Sequence, residues 1–153
     1  MQFKRLSLNG FTYIGLLIVI TIAGIGLAVV GELWYTEMQR EREKELIFIG
    51  LEYKDAIASY YSSTPNGVMQ LPKTLDELLA DKRLPIVKRH LRKLYLDPMT
   101  GKSDWGLIMQ QGAIAGVFSL SESKPIKKFG FPHGYEDFER AEKYRDWQFI
   151  YNR

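Results

Sequence analysis

Asn9 to Glu32 reads NGFTYIGLLIVITIAGIGLAVVGE, and no charged side chain occurs between Arg5 and Glu32. The apolar part, Phe11 to Gly31, has 21 residues. At about 1.5 Å per residue it covers roughly 30 Å, the thickness of a bilayer's hydrocarbon core. A core helix of a small domain keeps a polar face, and this stretch offers only Thr12, Tyr13 and Thr21 for one. The run therefore predicts a single membrane-spanning helix. A cleaved secretory signal would have a shorter apolar region followed by small residues at a cut site. Here Ala23, Gly24 and Gly26 lie inside the run and no Ala-x-Ala pattern follows it. Lys4 and Arg5 precede the span, while Arg40, Arg42 and Lys44 follow it, so the flanking charges are nearly balanced. A short N-terminus is easily kept in the cytoplasm, which predicts a C-terminal domain on the outer side.

The remaining composition is that of one ordinary domain. The chain has 153 residues, 25% of them charged, and no cysteine, which removes thiol chemistry, zinc ribbons and disulfides. Its net charge is +3, and without Lys4 and Arg5 the excess of cations falls to one. Nucleic acid held by bulk charge is not expected on that balance.

Beyond Gly31 the helical character continues in a new solvent. Glu37 to Glu45, EMQREREKE, predicts a solvated helix laced by pairs such as Glu37–Arg40 and Glu41–Lys44. From Leu46 apolar residues return, and Ile49, Tyr53, Ala56 and Tyr60 fall within about 60° of one another on a helical wheel. That face is expected to pack on the domain. Ile47, Leu51 and Ala58 cluster nearly opposite, either as scattered exposed residues or as contacts to neighbouring subunits. No helix breaker occurs before Pro65-Asn66-Gly67, so one helix is predicted from Phe11 to about Ser63.

Thr74-Leu75-Asp76-Glu77 reads as a capping box opening a short helix to Asp81. Val87 to Tyr95 reads as a second short helix with Val87, Leu91 and Leu94 inward. After the turn at Asp97-Pro98-Met99-Thr100-Gly101, strands are expected over Asp104–Met109 and Ile114–Leu120, joined at Gln111-Gly112. A third strand is expected over Asp146–Tyr151, with a helical, one-sidedly polar stretch over Tyr135–Tyr144.

The leader resembles the class III signal of type IV prepilins. It is short and basic and ends in Gly10, and Phe11-Thr12-Tyr13-Ile14 opens the apolar run directly. The resemblance implies that a prepilin peptidase cuts after Gly10, that Phe11 is N-methylated, and that the apolar segment is retained as the core helix of a filament. The family usually has a glutamate five residues into the mature chain, where this sequence has Gly15. That departure weakens the case for a bulk, self-polymerising subunit. The middle of the chain resembles the pseudopilins of type II secretion systems: a helix ending near Tyr60-Tyr61, a Leu-Pro segment, then Asp-Pro before Trp-Gly. In the G-type members the stretch like Val117-Phe118-Ser119-Leu120 leads to an aspartate-rich calcium loop. Ser121-Glu122-Ser123-Lys124-Pro125 stands here instead and is poor in the hard oxygen ligands Ca²⁺ takes.

The resemblance implies an α+β, pilin-like fold: a long N-terminal membrane-embedded helix packed on a small antiparallel sheet, with short helices in the connecting loop. It divides the chain into a leader (1–10), a transmembrane or filament-core half-helix (11–31) and a periplasmic domain (32–153, helix to about 63, sheet about 104–151). The implied role is a structural subunit of a type II secretion machine, in the inner membrane with its N-terminus cytoplasmic. Its partners would be the prepilin peptidase, other pseudopilins or pilins, the inner-membrane assembly platform and membrane lipid. Gly10 and Phe11 are the processing residues, and Phe11, Gly15, Ile47, Leu51 and Ala58 are assigned to assembly. Other readings are a minor pilin of a type IV pilus or DNA-uptake machine, and an anchored binding module that never polymerises.

No enzyme is expected. His90 and His133 match no zinc spacing, and no nucleophile elbow, phosphate loop or dinucleotide pattern occurs. His90 reads as a surface residue among cations and His133 as a turn residue. No catalytic residue, cofactor or metal ligand is assigned. The cations Lys82-Arg83, Lys88-Arg89 and Arg92-Lys93 read as a solvated face, with anionic lipid, nucleic acid or an acidic protein face as alternatives.

Overall fold

The computed structural model describes residues 9–64 and 69–152, and for 9–11 and 28–33 the backbone only. The leader residues 1–8 and the Pro65-Asn66-Gly67 breaker lie outside the described residues. The elements are α1 (Asn9–Ser62), α2 (Asp76–Leu79), β1 (Gly106–Gln110), β2 (Ala113–Phe118) and β3 (Gln148–Ile150). Two 3-10 turns, Glu136–Arg140 and Tyr144–Asp146, precede β3. The chain forms two compact units, Met1–Gln39 and Arg40–Arg153.

In the first unit, α1 carries large aliphatic side chains on every side. Ile14, Leu16, Leu17, Ile18, Val19, Ile20, Ile22, Ile25 and Leu27 are between 45% and 73% exposed. Among the described residues no helix is long and apolar enough to cross a membrane. The described side chains of the apolar run cover 12–27, and those of Phe11 and 28–31, which complete the predicted span, lie outside them.

The second unit is α+β, with α1 packed on a three-stranded antiparallel sheet of order β1-β2-β3. The hairpin turn falls at Gln111-Gly112 as the sequence predicts. Both residues adopt positive φ, 51° and 80°, the primed geometry whose twist matches its strands. Pairing runs from Gly106↔Phe118 to Gln110↔Ala113, with an irregularity between Ile108 and Met109. β3 pairs with β2 through Gly116↔Ile150 and Val117↔Phe149.

The helix buries Leu46, Ile49, Tyr53, Ala56, Ile57 and Tyr60. All four residues of the predicted face are among them. Gly50 lets the sheet approach closely, since a Cβ there would run into the Phe149 ring. Around Trp147 the core is aromatic: Phe138 stacks on it at 5.5 Å, and Tyr144 and Phe131 meet it edge-on at 5.3 Å. Such pairs add packing energy beyond buried area.

Three local expectations fail. The capping box at Thr74 does not form, because α2 has no side-chain cap; the Glu77 carboxylate instead accepts from the Lys73 N–H (3.1 Å) and the Tyr60 hydroxyl (2.6 Å). Val87–Tyr95 is not helical. The His90 and Leu91 N–H groups both donate to the Leu78 carbonyl, and the Asp81 N–H donates to the Lys88 carbonyl. Backbone bonds to the neighbouring segment thus replace the intrahelical ones, so Leu91 is buried while Val87 and Leu94 are exposed. Over Tyr135–Tyr144 the chain makes 3-10 turns rather than an α-helix.

Candidate functional site

The charged collar that the sequence assigns to solvent contains a buried anion. Glu43 is 1% exposed, although its neighbours Glu41, Arg42, Lys44 and Glu45 are all exposed. Its Oε1 accepts from the Ile126 N–H at 2.6 Å and from the Tyr144 hydroxyl at 2.9 Å. The Lys127 N–H reaches both oxygens at 3.1 Å. A buried carboxylate survives only when hydrogen bonds replace its lost water, and these donors supply them.

This arrangement fastens to α1 the loop after β2. The same loop is tied to the segment before β3: Tyr144 N–H donates to Ser123 O and Arg145 N–H to Ser121 O, both at 3.1 Å. On the surface Glu122 bridges Lys143 and Arg145. The groups converging on Glu43 are N–H and O–H donors, whereas a cation needs acceptors. The loop is organised around an anion supplied by the helix.

A second network closes the C-terminal end of α1. Asp81, 1% exposed, accepts from Arg83 through its backbone N–H (3.0 Å), Nε (2.9 Å) and Nη2 (2.7 Å). These bonds to Arg83 hold the Asp81 carboxyl well below the usual carboxylate range. The guanidinium also donates to Thr64 Oγ1 and to the Tyr60 carbonyl and lies 3.4 Å over the Tyr60 ring. His90 Nε2 is 3.3 Å from Asp81 Oδ2, and Nδ1 is 2.8 Å from Ser59 Oγ. The nitrogen facing the carboxylate carries the proton, so Nδ1 accepts from the serine hydroxyl.

His90 is therefore not a surface residue; its side chain has no exposed area. Serine, histidine and aspartate are the residue types of a hydrolytic relay. Both ring nitrogens are nevertheless engaged inside an enclosed side chain, and the carboxylate is committed to Arg83. The network acts as a brace between α1 and the 81–91 segment. His133 is fully exposed beside Glu136, at 3.0 Å, in the turn where the sequence reading puts it.

The residues assigned to processing and assembly fall in both units. Gly10 and Phe11 lie in the first turn of α1, where their side chains are outside the described ones. A Cβ at Gly15 would meet nothing within 4 Å, so packing within the chain does not require glycine there. Ile47 and Leu51 are half-buried against the core, and Ala58 is half-buried. The exposed large apolar side chain of this stretch is Phe48, at 59%. Of the two collar pairs, Glu41–Lys44 forms at 2.6 Å.

Comparison of the chain with models of known protein families, with characterised proteins and with solved structures finds no match. Function therefore rests on the residues and their geometry.

The sequence reading missed Glu43, yet a signal for it exists. Positions 43, 46, 50, 53, 57 and 60 are spaced alternately by three and four, and all six are buried. Glu43 extends that seam one turn toward the N-terminus. Asp81 and His90 carry no comparable signal, because their burial depends on a non-helical path through 81–91.

Proposed function

We propose that the protein is a non-catalytic pseudopilin subunit of a type II protein secretion system. In this reading it is cut after Gly10 on the cytoplasmic face of the inner membrane, methylated at Phe11, and assembled into a short periplasmic fibre. The observation that carries the reading is the contrast along α1. Its first part exposes aliphatic side chains all round, a surface that water does not tolerate and that lipid or neighbouring helices must cover. Its second part packs on a small antiparallel sheet. Stored in the bilayer, the apolar helix would move into the fibre core when the assembly motor extracts the subunit. Gly15 offers no carboxylate for a neighbour's terminal amine, which favours a minor subunit over the bulk one.

The test is the N-terminal residue and intact mass of the protein from its native membrane. N-methylated Phe11 supports the reading. A chain still beginning at Met1, in cells with an active prepilin peptidase, sinks it and leaves an anchored module that does not polymerise.

A further inference from the structure

Residues 82–96 contain six Lys and Arg and no carboxylate. Asp81 and Asp97, which flank the segment, are both buried. Asp81 is committed to Arg83, and Asp97 accepts the Ser119 hydroxyl at 2.7 Å. Asp81 thus neutralises Arg83, and the segment holds no carboxylate to shield the other five cations.

The first part of the segment is a closed protrusion. The bridge Asp81↔Lys88 ties its base, and Arg83 braces it to Tyr60 of α1 and to Thr64 just beyond the helix. At its tip, Ile86 is 84% exposed and Val87 57%. Lys82 within the loop and Arg89, Arg92 and Lys93 just beyond it are exposed. Collapse onto the core would ordinarily hide two adjacent aliphatic residues, and here a braced loop presents them amid unshielded cations.

We propose that this loop docks on an anionic phospholipid surface, with Ile86 and Val87 entering the headgroup layer while the cations collect phosphates. Nucleic acid would satisfy the cations but leave the aliphatic pair in water, and a protein partner would need an apolar pocket within an acidic face, whereas an anionic bilayer offers both parts along its whole surface. An interfacial site needs both parts, apolar insertion and charge. The proposal is independent of leader processing and of fibre assembly.

The test uses the full chain reconstituted in phosphatidylcholine vesicles. These are mixed with dye-loaded vesicles of phosphatidylcholine alone or with about a third phosphatidylglycerol, in about 0.1 M salt. Capture of the anionic vesicles only is expected. Combined Lys82→Glu, Arg89→Glu and Arg92→Glu should weaken it by about a hundredfold or more, from roughly fivefold per cation lost. Ile86→Ser with Val87→Ser should weaken capture at unchanged charge.

Because the chain has no cysteine, Ile86→Cys takes a single polarity-sensitive dye. Its emission should shift to the blue with anionic vesicles alone. Equal capture of neutral vesicles, indifference to charge reversal, or no dye shift would overturn the proposal. So would full retention of capture by the serine variant with complete competition by polyglutamate or heparin, which would make the loop a general polyanion site.

Discussion

Glu43 and Tyr144 stand 101 positions apart in the chain and meet through a hydrogen bond of 2.9 Å in the interior. The tyrosine hydroxyl is one of three donors on that carboxylate, the others being the Ile126 and Lys127 amides. One side chain of α1 thus holds both the loop after β2 and the turn before β3.

Replacing Glu43 by alanine strands those donors in the interior, where an unmet polar group costs about 1–3 kcal/mol. The expected loss is about 3 kcal/mol or more in urea unfolding of the second unit, followed by near-ultraviolet circular dichroism. Tyr144→Phe should cost about 1 kcal/mol. In a double-mutant cycle the two changes should be coupled rather than additive, and additive costs would mean the bond contributes little.

Gly50 faces the Phe149 ring with no room for a methyl group. Gly50→Ala should therefore destabilise by about 1–3 kcal/mol, even though alanine is the better helix former. Adding Phe149→Leu should recover part of that loss. A Gly50→Ala chain as stable as the parent would mean that α1 does not lie this close to β3.

Stability should fall on acidification in two stages. Burial holds His90 below its ordinary value of 6.5. The unfolded chain takes up that proton first, so stability is complete above about pH 6.5 and declines below it. Bonds to Arg83 lower the Asp81 carboxyl, so its contribution is complete above the unfolded value near 3.9 and is lost as the pH falls toward the folded one. Urea midpoints measured against pH should lose the upper limb in His90→Asn and the lower limb in Asp81→Asn.

Gln111 holds φ at 51° in the hairpin turn, a region where asparagine is more at ease than glutamine. Gln111→Asn should raise stability by a few tenths of a kcal/mol to about 1 kcal/mol, seen as a higher melting temperature. No gain would place the strain elsewhere.

The parts that could be read directly were those dictated by local period and turn chemistry. The face of Ile49, Tyr53, Ala56 and Tyr60, the Gln111-Gly112 hairpin and the three strands follow from spacing and from a glycine, Gly112, suited to positive φ. Val87–Tyr95 misled because its pattern is helical, while its N–H groups found carbonyls on another segment. Glu43 misled for a different reason. Its neighbours are all charged as it is, with both signs present, and only the three-and-four seam distinguishes it from them. His90 looked like a surface residue among cations because nothing local reveals that Asp81 and Ser59 close around it.

The Glu43 clamp also bears on the order of biosynthesis. As the chain leaves the ribosome, the helix comes first; Tyr53 and Tyr60 of its seam meet partners between residues 77 and 105, whereas Glu43 and Gly50 wait for residues 126–149. The Ile126 and Lys127 amides, Tyr144 and Phe149 all arrive late, so the N-terminal end of the seam is the last part of it to be covered. Until then the Glu43 carboxylate stays open to whatever is nearby. A chain stalled before residue 126 would present that uncovered end of the seam to chaperones and proteases, even though α1, β1 and β2 had been made.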